Sequence, residues 1–217
     1  MSTLTVGYMV NIVEKKLLDE SNADYTKADL IGFYNLSLRL IVSFIPRAYT
    51  ITSSIKLASG TQQSIPSDGL ALVGVPRNMG TNGTTAGAAI REASLDAFNK
   101  MFPNWSTTTA AAVIKNFMRI PGMDASFFVY PPSDGTPYVQ CVNSATPPTT
   151  TYDVEGLWEG DKIPLSDEFV GAIPDAMLFH AYDDDSDMPG NTTRSQIYYN
   201  RLLQNLGLKD AQTGRRK

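Results

Sequence analysis

One cysteine, one histidine and no long apolar run remove several whole classes of function from this 217-residue chain. Cys141, in the run "YVQCVNSA", has no partner for an internal disulfide and none for a cysteine-based zinc site. It reads as a buried strand thiol in a chain that folds in a reducing cytoplasm. No stretch of ~18 apolar residues is present, so no bilayer-spanning helix is expected. The first twenty residues, "MSTLTVGYMVNIVEKKLLDE", lack a basic lead and an unbroken apolar centre, and so carry no signal peptide on this reading. His180 lies between Phe179 and Ala181 on an expected helix; a packed histidine is favoured over a general base. No Gly-x-Ser-x-Gly elbow accompanies it. The glycine-rich "NMGTNGTTAGAA" fits neither phosphate-loop template and reads as a hairpin loop.

What is present is an ordinary globular composition, 42% hydrophobic and 18% charged, with a net charge of −4. The charge is unevenly placed. From Asp153 to Asp187 eleven carboxylates face one lysine, a local balance of −10, and the last nine residues, "KDAQTGRRK", carry +3. Such asymmetry concerns surfaces and partners. An acidic chain without clustered Lys and Arg is unsuited to gripping duplex nucleic acid through phosphates.

Along the chain, Val6, Val10, Val13 and Leu17 share one helical face. Thr26 to Asp29 resembles a capping box and opens a helix to about Arg47. That helix carries two apolar stripes: Leu30, Tyr34, Leu38, Ile41, Ile45, and Phe33, Leu36, Leu40, Phe44. Two stripes suit packing against a neighbouring subunit. "YTITSSIKL" alternates as a strand with one wet face, and "LALVGV" is expected to run back beside it after the turn "SGTQQSIPSDGL". In that turn Pro66 presets the bend, Asp68 bonds the local backbone and Gly69 permits a positive φ, together setting strand register. "AAIREA" is a plausible third strand and "SLDAFNKMF" a short helix started by Ser94. "AVIKNFMRI", "SFFVYPP" and "YVQCVNSA" are further strands of an antiparallel meander or sandwich.

A long connection leads to two closing helices. Val170, Ile173, Met177 and Ala181 share a face of the first, with Pro174 at a kink or in the first turn. The second is capped by Asn191, lined by Tyr198, Leu202 and Leu206, and stopped at Gly207. The fold class is therefore α+β: two N-terminal and two C-terminal helices packed with a central antiparallel β-rich body. The chain is read as a single domain over 1–217. It has a helical layer at 3–47 and 168–207, a β-rich body at 48–145, an extended loop at 146–167 and a flexible basic tail at 209–217. Asp183, Asp184, Asp185 and Asp187 alternate in a way a hard cation could use, but an EF-hand loop would need Gly and Glu where Met188 and Arg194 stand. An acidic turn near the start of the last helix is favoured.

Five elements occur in a recognisable order: "SIPSDGLALVGVPRNMG", "SLDAFNKMFPNW", "FFVYPPSDGT", the "AYDDDSDMPGN" junction and two closing helices. Together they resemble tailed-bacteriophage head-to-tail adaptor (connector) proteins of the tail-tubular-protein-A-like family. The resemblance spans roughly Thr3 to Leu208. It implies a virion structural protein of the tail or neck, made in the host cytoplasm, with no catalytic residue, metal or cofactor and no membrane partner. Copies would form a ring, usually of twelve, between the portal and the tail nozzle or tail tube, with genomic DNA passing through the lumen without specific binding. It further implies portal docking by the last helix and tail, here Leu206, Leu208, Arg215, Arg216 and Lys217. The Asp183–Asp187 carboxylates would suit a lumen wall that repels phosphate. The alternatives are a stopper or tail-completion ring protein, or a small metal-dependent hydrolase using the aspartate cluster.

Overall fold

The computed structural model describes residues 4–208. Two compact units follow from it: one combines the chain up to Tyr49 with the chain from Pro147 onward, and the other comprises Thr50–Thr146.

The first unit is helical. Helices α1 (Val6–Leu17) and α2 (Lys27–Phe44) come from its N-terminal part. From the C-terminal part come α4 (Asp167–Val170), α5 (Ile173–Asp184) and α6 (Asn191–Asn205); α3 (Leu95–Met101) belongs to the other unit. α5 is apolar on nearly every side, with Ile173, Ala176, Met177, Leu178 and Ala181 buried, because it is the central helix, packed by α6, α2 and α1. Pro174 sits in its first turn, where its missing N–H costs nothing. The capping box at Thr26 and Asp29 is present in full, a feature that contributes about 1 kcal/mol.

The double stripe on α2 is largely absorbed within this unit. Leu30, Phe33, Tyr34, Leu38 and Ile41 are buried and Leu40 and Phe44 half-buried, which leaves Leu36 exposed. α2 stops at Phe44, three residues earlier than expected, and a 3-10 turn at Pro46–Ala48 follows. The last helix is entered through Gly190 in the left-handed region, so Asn191 is its first residue instead of its cap. The Asn191 amide reaches back to the Asp185 carbonyl and carboxylate, both at 3.0 Å. At the other end Gly207 (φ 70) and Leu208 donate to Gln204 and Leu203, the paired bonds of a Schellman stop.

The connection from 147 to 166 is woven into this unit. Its Trp158, Ile163 and Leu165 belong to the helical core. Asn35 exchanges two hydrogen bonds with the Thr150 backbone, and Ser166 donates to Ala48. A 3-10 turn at Leu157–Gly160 lies against α1, where a Cβ on Gly7 would come within 3.0 Å of Glu159.

The second unit holds two sheets. Strand β7 (Tyr138–Ala145) is central to the first, flanked antiparallel by β1 (Thr50–Lys56) and β3 (Gly69–Asn78). The other is ordered β2 (Ser59–Ser64), β6 (Met123–Asp134), β5 (Asn116–Ile120), β4 (Arg91–Glu92). Leu57, Leu72, Val75, Val139 and Cys141 join Phe117, Phe127 and Val129 in one core shared by both sheets. Burial pushes the Cys141 thiol up to about 11, so it stays protonated and inert.

Two strand expectations change. "LALVGV" does not pair with β1, because both flank β7. The supposed turn "SGTQQS" is itself β2, paired with β6. Buried Gln63 explains it: its side chain bonds Ala58 twice and Gly60 once, closing the β1–β2 corner with amide hydrogen bonds in place of apolar packing. "AAIREA" supplies only the short β4, which pairs parallel with β5. α3 (Leu95–Met101), capped by Ser94 as expected, sets Phe98 edge-on against Tyr130, while Trp105 packs edge-on against Phe128.

Candidate functional site

The charged junction between α5 and α6 is the first candidate. Asp183, Asp184 and Asp187 are exposed, whereas Asp185 is half-buried and holds the Asn191 amide. The four carboxylates therefore divide into three that face solvent and one that is structural. Among the described residues no group of three or more His, Cys, Asp or Glu is placed to hold a metal ion.

Asp184 and Asp185 line one side of a groove of about 600 Å³, together with Asp24, Asp29, Tyr25 and Tyr182; Arg194 is its cation. Tyr25 donates from its hydroxyl to the Ala181 carbonyl at 2.9 Å. Burial, then the Asp185 and Asp184 charges, push this phenol up to about 12. Beneath it, the Asp19 carboxylate accepts from the Ala23, Asp24 and Tyr25 amides, which hold it below the usual carboxylate range.

His180 is half-buried beside Phe179, and its Nε2 has no hydrogen-bond partner. Burial lowers its pKa, opposed by the Asp183 charge. With the folded pKa below the unfolded one, the unfolded chain binds the extra proton. The contribution of His180 to stability is thus complete above about pH 6.5 and declines as pH falls below that value. His180→Gln is expected to flatten the fall in melting temperature between pH 7 and 5; an unchanged slope would refute this. Asp19 and Asp134, both held low by hydrogen bonds, act in a separate window below about pH 4.

The expected docking residues are placed as follows. Leu206 is buried and Leu208 half-buried, both within the helical core. Arg215, Arg216 and Lys217 lie outside the described residues. In the turn, the Gly69 N–H donates to the Pro66 carbonyl at 2.9 Å, but Asp68 makes no side-chain hydrogen bond and Gly69 is not left-handed. Glycine at 69 is favoured by space: a Cβ there would stand 2.7 Å from the Asn143 amide and 2.8 Å from the Ile65 Cδ1, and both side chains would have to move.

Sequence reading passes over a second surface on the helical unit. Lys16, Leu17 and Leu18 at the end of α1, with Arg194, Ile197, Tyr198 and Arg201 of α6, line a groove of about 330 Å³. It needs residues some 180 positions apart. The sequence signal for it is an apolar Leu17-Leu18 pair directly after Lys15-Lys16, at the point where the helix ends.

No helix among the described residues is long and apolar enough to cross a membrane. No curated protein matches the chain. The family model for the SU10 adaptor protein does, over residues 5–217, which takes in both units. By this match the chain belongs to the SU10 adaptor protein family, phage virion adaptors whose role is structural.

Proposed function

We propose that the chain is a head-to-tail adaptor, as in the tail-tubular-protein-A-like proteins it resembles. On this reading copies of it form a ring, usually of twelve, between portal and tail nozzle or tube, and DNA passes through the lumen. The supporting observation is the family match along almost the whole chain, both units included. The exposed Asp183, Asp184 and Asp187 are consistent with a lumen wall that repels phosphate and keeps DNA from sticking. Leu206 and Leu208 anchor the chain just after α6 in the helical core, and the basic segment 209–217 follows them in sequence. That segment is the portal-docking element, suited to an acidic surface through charge-assisted hydrogen bonds.

Deleting residues 209–217 is expected to leave the thermal transition in place and abolish capture by the portal in a pull-down. Undiminished capture would refute the docking assignment. Imaging of the virion neck tests the ring: several copies around a hollow axis are expected, and one copy per particle would end that reading.

A further inference from the structure

The helical unit carries a protruding apolar turn and, separately, a groove of mixed aliphatic and basic lining, opposite in charge to the turn. The turn is built rigidly. Asp153 accepts hydrogen bonds from the Leu157 and Trp158 amides, and Trp158 is buried beneath. Lys27 lies over the Trp158 ring and pairs with Glu159 at 3.8 Å. This scaffold leaves Val154 90% and Leu157 72% exposed, with Glu155 between them in solvent. Two aliphatic side chains held out together by a fixed turn form a small apolar knob open to a partner.

The groove between α1 and α6 is the counterpart. Leu18 is 91% exposed, held out by a left-handed backbone (φ 60) that a leucine rarely adopts; Ile197 faces solvent opposite. Around them stand Lys16, Arg194 and Arg201. Lys16 and Arg201 share the single buried carboxylate of Asp175, and Arg194 rests on the Tyr182 ring with no salt bridge among the described residues. Asp184 and Asp185 border Arg194 on its other side, in the neighbouring groove. The rim of this 330 Å³ groove thus holds more positive than negative charge.

We infer that the Val154–Leu157 turn of one copy docks in the Leu18–Ile197 groove of the next, with Glu155 facing Arg194. This rests on the ring reading above and supplies its contact. A copy cannot fill its own groove. The turn packs at Gly7, near the start of α1, and the groove lies at Lys16–Leu18, near its end, roughly 16 Å away along the axis. Trp158 pins the turn in place. Donor and acceptor are different surfaces of one rigid unit, so the contact is heterologous and repeats head to tail, closing where the rotation per copy divides a full circle.

The test uses parent-phage particles whose adaptor carries Leu157→Cys and Ile197→Cys. Native Cys141 is fully buried and does not compete. Mild oxidation followed by a non-reducing denaturing gel is expected to give a ladder of adaptor multimers, with none from either single-cysteine variant. Several adaptor copies per particle without a ladder would overturn the contact and leave the ring standing. A dimer from Leu157→Cys alone would overturn it in favour of a two-fold contact. One copy per particle would remove the ring and this contact together.

Should the double-cysteine particles fail to assemble, charge reversal decides. Glu155→Arg and Arg194→Glu are each expected to lower titre at least tenfold, and their combination to restore it. Singles that fold normally without loss of titre, or a double that folds but does not recover, would overturn the proposal.

Discussion

Asn78→Ala is expected to destabilise the β unit by about 3–4 kcal/mol. Asn78 is buried at the end of β3 and its side chain makes three hydrogen bonds. The amide donates to the Ala88 and Ile114 carbonyls at 3.0 and 2.8 Å, and the carbonyl oxygen accepts from the Ile114 N–H at 2.9 Å. Its own backbone also pairs with residues 87 and 88. Truncation leaves both backbone groups of fully buried Ile114 without a partner, and each such group costs about 1–3 kcal/mol. Asn78→Asp separates the causes. It keeps the volume but turns two donations into carboxylate–carbonyl repulsion, so it should be at least as damaging. Trp105 lies in the β unit and Trp158 in the helical unit, so variants retaining one tryptophan report each transition in urea. An aspartate variant as stable as the parent would exclude the hydrogen-bond account.

The double variant Lys16→Met/Arg201→Met is expected to cost about 3–5 kcal/mol in the Trp158 transition. Asp175 is 4% exposed on α5, with Lys16 at 3.8 Å from α1 and Arg201 at 3.6 Å from α6. Removing both cations strands a buried carboxylate, whose remaining partner is the Asn205 amide at 2.7 Å. Removing the carboxylate is milder, because both cations are already more than a third exposed and return to water. Asp175→Asn alone should therefore cost about 1 kcal/mol, and adding it to the double variant should recover most of the loss. A triple variant no more stable than the double would mean that the cations act through packing of their stems.

What was legible in the sequence is what is decided locally. The Thr26–Asp29 capping box, the Ser94 cap, the Gly207–Leu208 stop and the span of β7 each depend on residues within a few positions. Strand pairing was not legible in the same way. β2 contains no large apolar residue and owes its place to Gln63, whose partners no periodicity encodes. Asn191 resembles a cap by type, yet the turn before it needs Gly190 left-handed and uses the Asn191 amide to tie down Asp185. Gly69 was singled out for a positive φ it does not adopt, whereas the crowding at Asn143 comes from a strand some 70 residues later. The acidic junction showed in composition alone. The Leu18–Ile197 groove did not, because its two walls are written at opposite ends of the chain.

The helical unit is assembled from both ends of the chain, with the whole β unit inserted between Tyr49 and Pro147. Synthesis runs in one direction at roughly 5–20 residues per second. α1 and α2 therefore leave the ribosome on the order of ten seconds before α5, the central helix that covers them. In that interval the β unit can complete itself, while Tyr34, Leu38 and Ile41 have α1 but lack α5, the helix that covers most of α2. The nascent chain is most exposed to aggregation and to chaperones at that stage, and slow codons between β7 and α5 would lengthen it.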